Sequence, residues 1–136
     1  MHIRWEVVIL STDLEWRRAV ADILAANGID FVCASSIEDC NEIVARESVG
    51  IIFWDSHMAV ETYQDLLNSM VSLDPRVKIV VISHMDDWDK HVDTARMGAF
   101  GVIPFPFQPT DIEWVLSRAL RAEREESISA HLRRAS

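Results

Sequence analysis

Apolar and polar positions alternate between two periods along this chain. Val7-Val8-Ile9-Leu10 is a short apolar run that predicts a buried strand. Thr12-Asp13-Leu14-Glu15 has the form of a capping box and predicts a helix opening at Thr12. Trp16, Val20, Ile23 and Leu24 then recur at the spacing of one helix face. Asn27-Gly28 marks its stop, because glycine accepts the left-handed conformation a helix end needs. Asp30 to Ala34 predicts a second strand. Ser35-Ser36-Ile37-Glu38 caps a second helix, with Ile37, Cys40, Ile43 and Val44 inward.

The next run, Val49-Gly50-Ile51-Ile52-Phe53-Trp54-Asp55, is the most informative in the chain. Unbroken apolar character predicts a central strand of a parallel sheet covered on both faces. Ligands and chemistry in open α/β sheets collect at the carboxyl ends of such strands. Asp55 stands at that end. A third helix presents Tyr63, Leu66, Leu67, Met70 and Val71, and Asp74-Pro75 breaks the chain before a fourth strand, Lys78 to Ile82. Trp88, Val92, Ala95 and Ala99 make a thin apolar face on a fourth helix, with Gly98 and Gly101 bracketing its end. Val102-Ile103 is a fifth strand cut short by Pro104 and Pro106. Thr110-Asp111-Ile112-Glu113 caps a last helix with Ile112, Val115, Leu116, Ala119 and Leu120 inward.

Strands alternating with helices, without linker or repeat, predict right-handed crossovers and a parallel sheet with helices on both faces. At 136 residues the chain fits one domain with a substantial core. Residues 1–122 form that domain. Residues 123–136 are a charged tail whose apolar anchors are Ile128 and Leu132, and it either prolongs the last helix or frays.

Charge narrows the partners. A net charge of -9 and a pI near 4.9 repel phosphate backbones and anionic lipid, which argues against nucleic acid and membrane surfaces. No apolar run approaches the roughly twenty residues of a membrane span, and residues 1–6 do not resemble a signal peptide. A cytoplasmic location is expected. Cys33 and Cys40 make neither a disulfide framework nor a metal site and read as reduced, half-buried thiols.

Other chemistry finds less support. Asp55, His57, Ser83 and His84 fall on one sheet edge, the residue types of a Ser/His/Asp hydrolase. The chain has no Gly-x-Ser-x-Gly elbow to go with them. The first loop, Ser11-Thr12-Asp13, has no glycine to wrap a phosphate, and no P-loop or dinucleotide fingerprint occurs. His57, His84, His91 and His131 lack zinc-ligand spacing.

Across roughly residues 5–122 the chain resembles the receiver domain of two-component response regulators. Asp55 falls at the family's phospho-accepting aspartate, and Met58 matches the methionine three residues on. Ser83, just past the fourth strand, falls at the family's Thr or Ser hydroxyl. Met97-Gly98-Ala99 resembles the Ala-Gly-Ala before the fifth strand, Pro106-Phe107 the family's Pro-Phe, and Thr110-Asp111-Ile112 the helix start after it. The resemblance implies a doubly wound (βα)₅ flavodoxin-like three-layer sandwich, its five-stranded parallel sheet in the order 2-1-3-4-5.

The departures bear on chemistry. The family's acidic pair is here Ser11 and Thr12, its lysine is Phe105, its frequent proline is Ala59 and its aromatic switch residue is Val102. In the family the acidic pair holds Mg²⁺ and the lysine pairs with the phosphoryl oxygens. Mg²⁺ asks for carboxylate oxygens, and Asp55 is the one carboxylate certain to face the site. Asp13 is one residue late and reads as a helix N-terminal residue. Phosphoryl transfer depends on stabilising spread negative charge, so these replacements predict a degenerate, pseudo-receiver site with no cofactor, with Mg²⁺ as the alternative. Asp55 then reads as a structural carboxylate bonded by Ser11, Thr12 or Ser83, while Phe105 fills the lysine's space with apolar surface.

Trp114 lies off the inward stripe of the last helix with Arg118 and Arg121, the composition of an interface hot spot. The fourth helix, carrying Trp88, is weakly anchored and expected to be mobile or partner-dependent. In receivers the fourth helix, fifth strand and fifth helix form the dimerisation and output face, which implies docking there. The expectation is a stand-alone, non-enzymatic receiver-like signalling module in a two-component or phosphorelay context. It would contact a histidine kinase, an output protein or a second copy. A working acceptor at Asp55, and a small enzyme or nucleotide binder using the strand-end cleft, are the alternatives.

Overall fold

The computed structural model describes residues 6–55, 77–84 and 98–135, together with Asn68. Its strands are β1 (Glu6–Leu10), β2 (Phe31–Ala34), β3 (Val49–Asp55), β4 (Lys78–His84) and β5 (Gly101–Phe105). All pairings are parallel, and the five-stranded sheet has the order β2-β1-β3-β4-β5. The described helices are α1 (Leu14–Ala26), α2 (Ile37–Arg46) and the C-terminal α3 (Pro109–Ala135). The third and fourth helices expected from sequence, with Tyr63, Trp88 and their neighbours, lie outside the described residues. Ala99 is described, and it is half-buried outside any helix.

Alternation along the strands splits the core in two. Val7, Ile9, Ile51, Phe53, Val80 and Ile82 point to one face and meet Trp16, Val20 and Leu24 of α1 and Ile112, Leu116 and Ala119 of α3. Val8, Leu10, Ile52, Trp54, Ile79 and Val81 point to the other and meet Ile37, Cys40, Ile43 and Val44 of α2. Every residue of β3 is buried. A strand sealed on both faces has no polar side to offer, which is why its sequence reads as a continuous apolar run.

Several element ends differ from the sequence expectation. The N-cap of α1 is Asp13, not Thr12: Asp13 Oδ1 accepts from the backbone N–H of Glu15 and Trp16. α2 is capped by Ser36, whose hydroxyl accepts from Asp39 N–H while the Asp39 carboxylate accepts from Ser35 N–H. α3 starts at Pro109 rather than Thr110. Proline suits the first helical position because its missing N–H needs no partner there, and Asp111 Oδ2 accepts from Gln108 N–H at 2.8 Å. β2 starts at Phe31 instead of Asp30, and β4 runs on to His84, so Ser83 lies inside the strand. Pro104 does not end β5. That strand is the sheet edge, where one side of the backbone needs no ladder partner.

α1 ends as expected. Gly28 has φ +69°, Gly28 N–H donates to Ala25 O and Ile29 N–H to Leu24 O, both at 3.0 Å. This pair of bonds satisfies carbonyls that the last turn leaves open. Neither cysteine is in a disulfide, but Cys33 is exposed and Cys40 is buried. Cys33 sits on edge strand β2. The charged tail prolongs α3 to Ala135, with Ile128 and Leu132 exposed.

Candidate functional site

Strand register assembles the site at the carboxyl edge of the sheet. Leu10 pairs with Trp54, so the next residues, Ser11 and Asp55, emerge side by side from β1 and β3. Asp55 pairs with Ile82, Ser83 with Pro104 and His84 with Phe105, bringing β4 and β5 to the same edge. Asp55 and Ser83 are buried, and so is Ser11.

The Ser11 hydroxyl donates to Asp55 Oδ2 at 2.8 Å and accepts from Asp13 N–H at 3.0 Å. One side chain therefore links the acidic end of β3 to the start of α1. Thr12 is exposed. Asp13 points its carboxylate to the helix cap, where it holds two backbone N–H groups. Asp55 thus has a neutral hydroxyl as its β1 neighbour, and among the described residues no group of three or more His, Cys, Asp or Glu is placed to hold a metal ion.

Arg17 completes the loop and is the functional-edge residue that sequence reasoning missed. Its Nε donates to Ser11 O, and its terminal nitrogen donates to Ala34 O at 3.0 Å and Ser35 Oγ at 2.9 Å. The guanidinium bridges the ends of β1 and β2 and holds the loop that carries Ser11. A cation near a helix N-terminus opposes the dipole, and that mismatch is the signal that marks Arg17 in the sequence.

Phe105, at the end of β5, packs half-buried against the α1–α3 core, with its ring 5.6 Å from that of Phe107 in an edge-to-face arrangement. Val102 packs against the opposite core cluster. Phe105, an aromatic residue, is thus the β5 partner of His84 at the end of β4. His57, Met58, Ala59, Trp88 and Met97 lie outside the described residues.

Residues 7–117 match the family described as the response regulator receiver domain. The chain belongs to this family. The receiver domain is 25% identical over 103 residues to the response regulator protein FleR of Pseudomonas aeruginosa, covering 76% of this chain but 22% of FleR. Among solved structures it resembles the receiver domain of NtrX from Brucella abortus, with TM-score 0.77, 22% identity and coverage of 85% and 98% of the two chains. It also resembles a protein described as an adenylate cyclase from Rhodopirellula baltica, with TM-score 0.84, 11% identity and coverage of 98% and 100%. At these identities the two structures show the fold alone. That fold is the flavodoxin-like receiver architecture, a signalling module of two-component systems. No described helix of the receiver domain is long and apolar enough to cross a membrane.

On α3, Trp114 is 62% exposed. The Arg118 guanidinium lies over the Trp114 ring at 4.8 Å and over the Phe100 ring at 4.9 Å. Both rings offer a negative face to the cation. A groove of about 200 Å³ runs between β5 and α3, lined by Val102, Pro104, Trp114 and Arg118 among others. Arg121 is exposed on the same helix.

Proposed function

We propose that this receiver domain signals by protein contact and that Asp55 does not take a phosphoryl group by the metal-assisted route. The observation that carries the reading is the buried Ser11–Asp55 hydrogen bond. A hydroxyl stands where metal binding asks for carboxylate, and it already commits its proton to Asp55. Asp13, the carboxylate nearest to Ser11 in the sequence, is engaged by two backbone N–H groups. Among the described residues, the donors around Asp55 therefore do not fit Mg²⁺, which is usually held by one or two carboxylates with substrate phosphates. Phe105 and Phe107 add no charge to balance phosphoryl oxygens.

In this reading the β5–α3 face, with Trp114 and Arg118, is the contact surface. It works in the cytoplasm against a histidine kinase, an output protein or a second copy of the chain, and the domain is not an enzyme. The Arg118 guanidinium stacks over the Trp114 ring, and an arginine beside an exposed tryptophan is the composition of an interface hot spot.

Intact mass after incubation with acetyl phosphate and Mg²⁺ tests the reading, with Asp55→Asn as control. The expected result is no added phosphoryl group on folded protein. A phosphoryl gain that disappears in Asp55→Asn overturns it and establishes Asp55 as a working acceptor.

A further inference from the structure

α3 has two faces of opposite character. Ile112, Leu116 and Ala119 are fully buried against the sheet. At 3.6 residues per turn, Trp114, Arg118, Arg121, Glu125, Ile128 and Leu132 fall on the opposite side. All six are exposed, with Trp114 at 62%, Ile128 at 59% and Leu132 at 62%. Their steps alternate between four and three residues, the seam spacing of paired helices. The last two members lie beyond the part of α3 that the core covers.

This seam is self-complementary about residue 123. In an antiparallel pair, Trp114 meets Leu132 of the second copy, Arg118 meets Ile128, and Arg121 meets Glu125. Each relation occurs twice by symmetry. In a parallel pair, Arg118 meets Arg118, Arg121 meets Arg121 and Glu125 meets Glu125, so like charges face each other in successive layers. Charge selects the antiparallel arrangement. It also separates the two domain bodies, because each covered half of α3 runs beside the free half of the other. Arg118 can keep its stack on Phe100 and Trp114 while its stem offers apolar surface to Ile128.

We propose that two copies of this chain pair antiparallel through the outer seam of α3, with Trp114 packed on Leu132 and Arg121 paired to Glu125. The polar layers set the orientation at a cost in affinity, which makes the dimer reversible. This pairing does not depend on whether Asp55 takes a phosphoryl group.

Sedimentation velocity on the full chain over a concentration series is the test. A concentration-dependent dimer is expected. Arg121→Glu and Glu125→Arg should each weaken it about tenfold or more, and the double variant should restore it. Orientation is tested in a Cys33→Ser background. Trp114→Cys mixed with Leu132→Cys should form a disulfide-linked heterodimer under mild oxidation. Neither variant alone should self-link, because antiparallel pairing puts like positions about 27 Å apart along the axis. A chain that stays monomeric, a dimer that neither charge reversal weakens, or efficient self-linking of Trp114→Cys or Leu132→Cys alone through the introduced cysteine overturns the proposal.

Discussion

Ser11 and Asp55 are joined by a buried hydrogen bond of 2.8 Å from the serine hydroxyl to the aspartate Oδ2. The bond crosses from the end of β1 to the end of β3, and the same hydroxyl accepts from Asp13 N–H at the start of α1. It is therefore both part of the local environment of the conspicuous carboxylate and a fastening between two strands and a helix.

Ser11→Ala removes the donor from Asp55 Oδ2 and the acceptor from Asp13 N–H. Leaving buried polar groups short of a partner costs about 1–3 kcal/mol. Urea denaturation should show a lower midpoint with an unchanged slope, since the surface exposed on unfolding stays the same. A loss under about 0.5 kcal/mol would mean that water or another group replaces the hydroxyl.

Restoring the family's charged positions should restore metal sensitivity. The triple variant Ser11→Asp, Thr12→Asp, Phe105→Lys places carboxylates beside Asp55. Without metal their mutual repulsion should lower Tm below that of the parent. Added Mg²⁺ should raise the variant's Tm, because an ion bound only by the folded state stabilises it, and should leave the parent's Tm unmoved. Differential scanning calorimetry with and without Mg²⁺ reads both effects.

Arg17→Ala should destabilise by about 1–3 kcal/mol, because hydrogen bonds from charged donors fall in that range and three acceptors lose theirs. Arg17→Lys should recover little of it. A single ammonium cannot reproduce the fixed fork that reaches Ser11 O, Ala34 O and Ser35 Oγ together. Thermal unfolding of both variants separates the loss of charge from the loss of geometry.

Two glycines should respond oppositely to alanine. At Gly28 a Cβ would meet nothing within 4 Å, so space is not the obstacle; φ of +69° is. Gly28→Ala should cost about 1–2 kcal/mol for the left-handed conformation. At Gly101 a Cβ would touch Val115 Cγ2 at 3.6 Å, an ordinary contact. Gly101→Ala should be neutral or stabilising by up to about 1 kcal/mol, since it removes chain entropy from the unfolded state. Chemical denaturation of the pair checks the contrast.

The sequence by itself determined the alternation of strands and helices, because burial on both faces demands unbroken apolar strands such as Val49 to Trp54 and helices with one apolar stripe. It also placed Asp55 at a strand end and Trp114 off the inward face of its helix, since both follow from counting residues. Periodicity is weak at element ends. Capping at Asp13 rather than Thr12 depends on which carboxylate reaches free N–H groups, and β5 continues through Pro104 because that strand is an edge. Only the tertiary structure decided that Ser11 bonds to Asp55, 44 positions away. It alone showed that Arg17 fastens the ends of β1 and β2 and that Arg118 lies between Phe100 and Trp114. The Ser11–Asp55, Arg17–Ala34 and Arg118–Phe100 relations join residues distant in the chain, and register and helix packing set them, neither of which local pattern encodes.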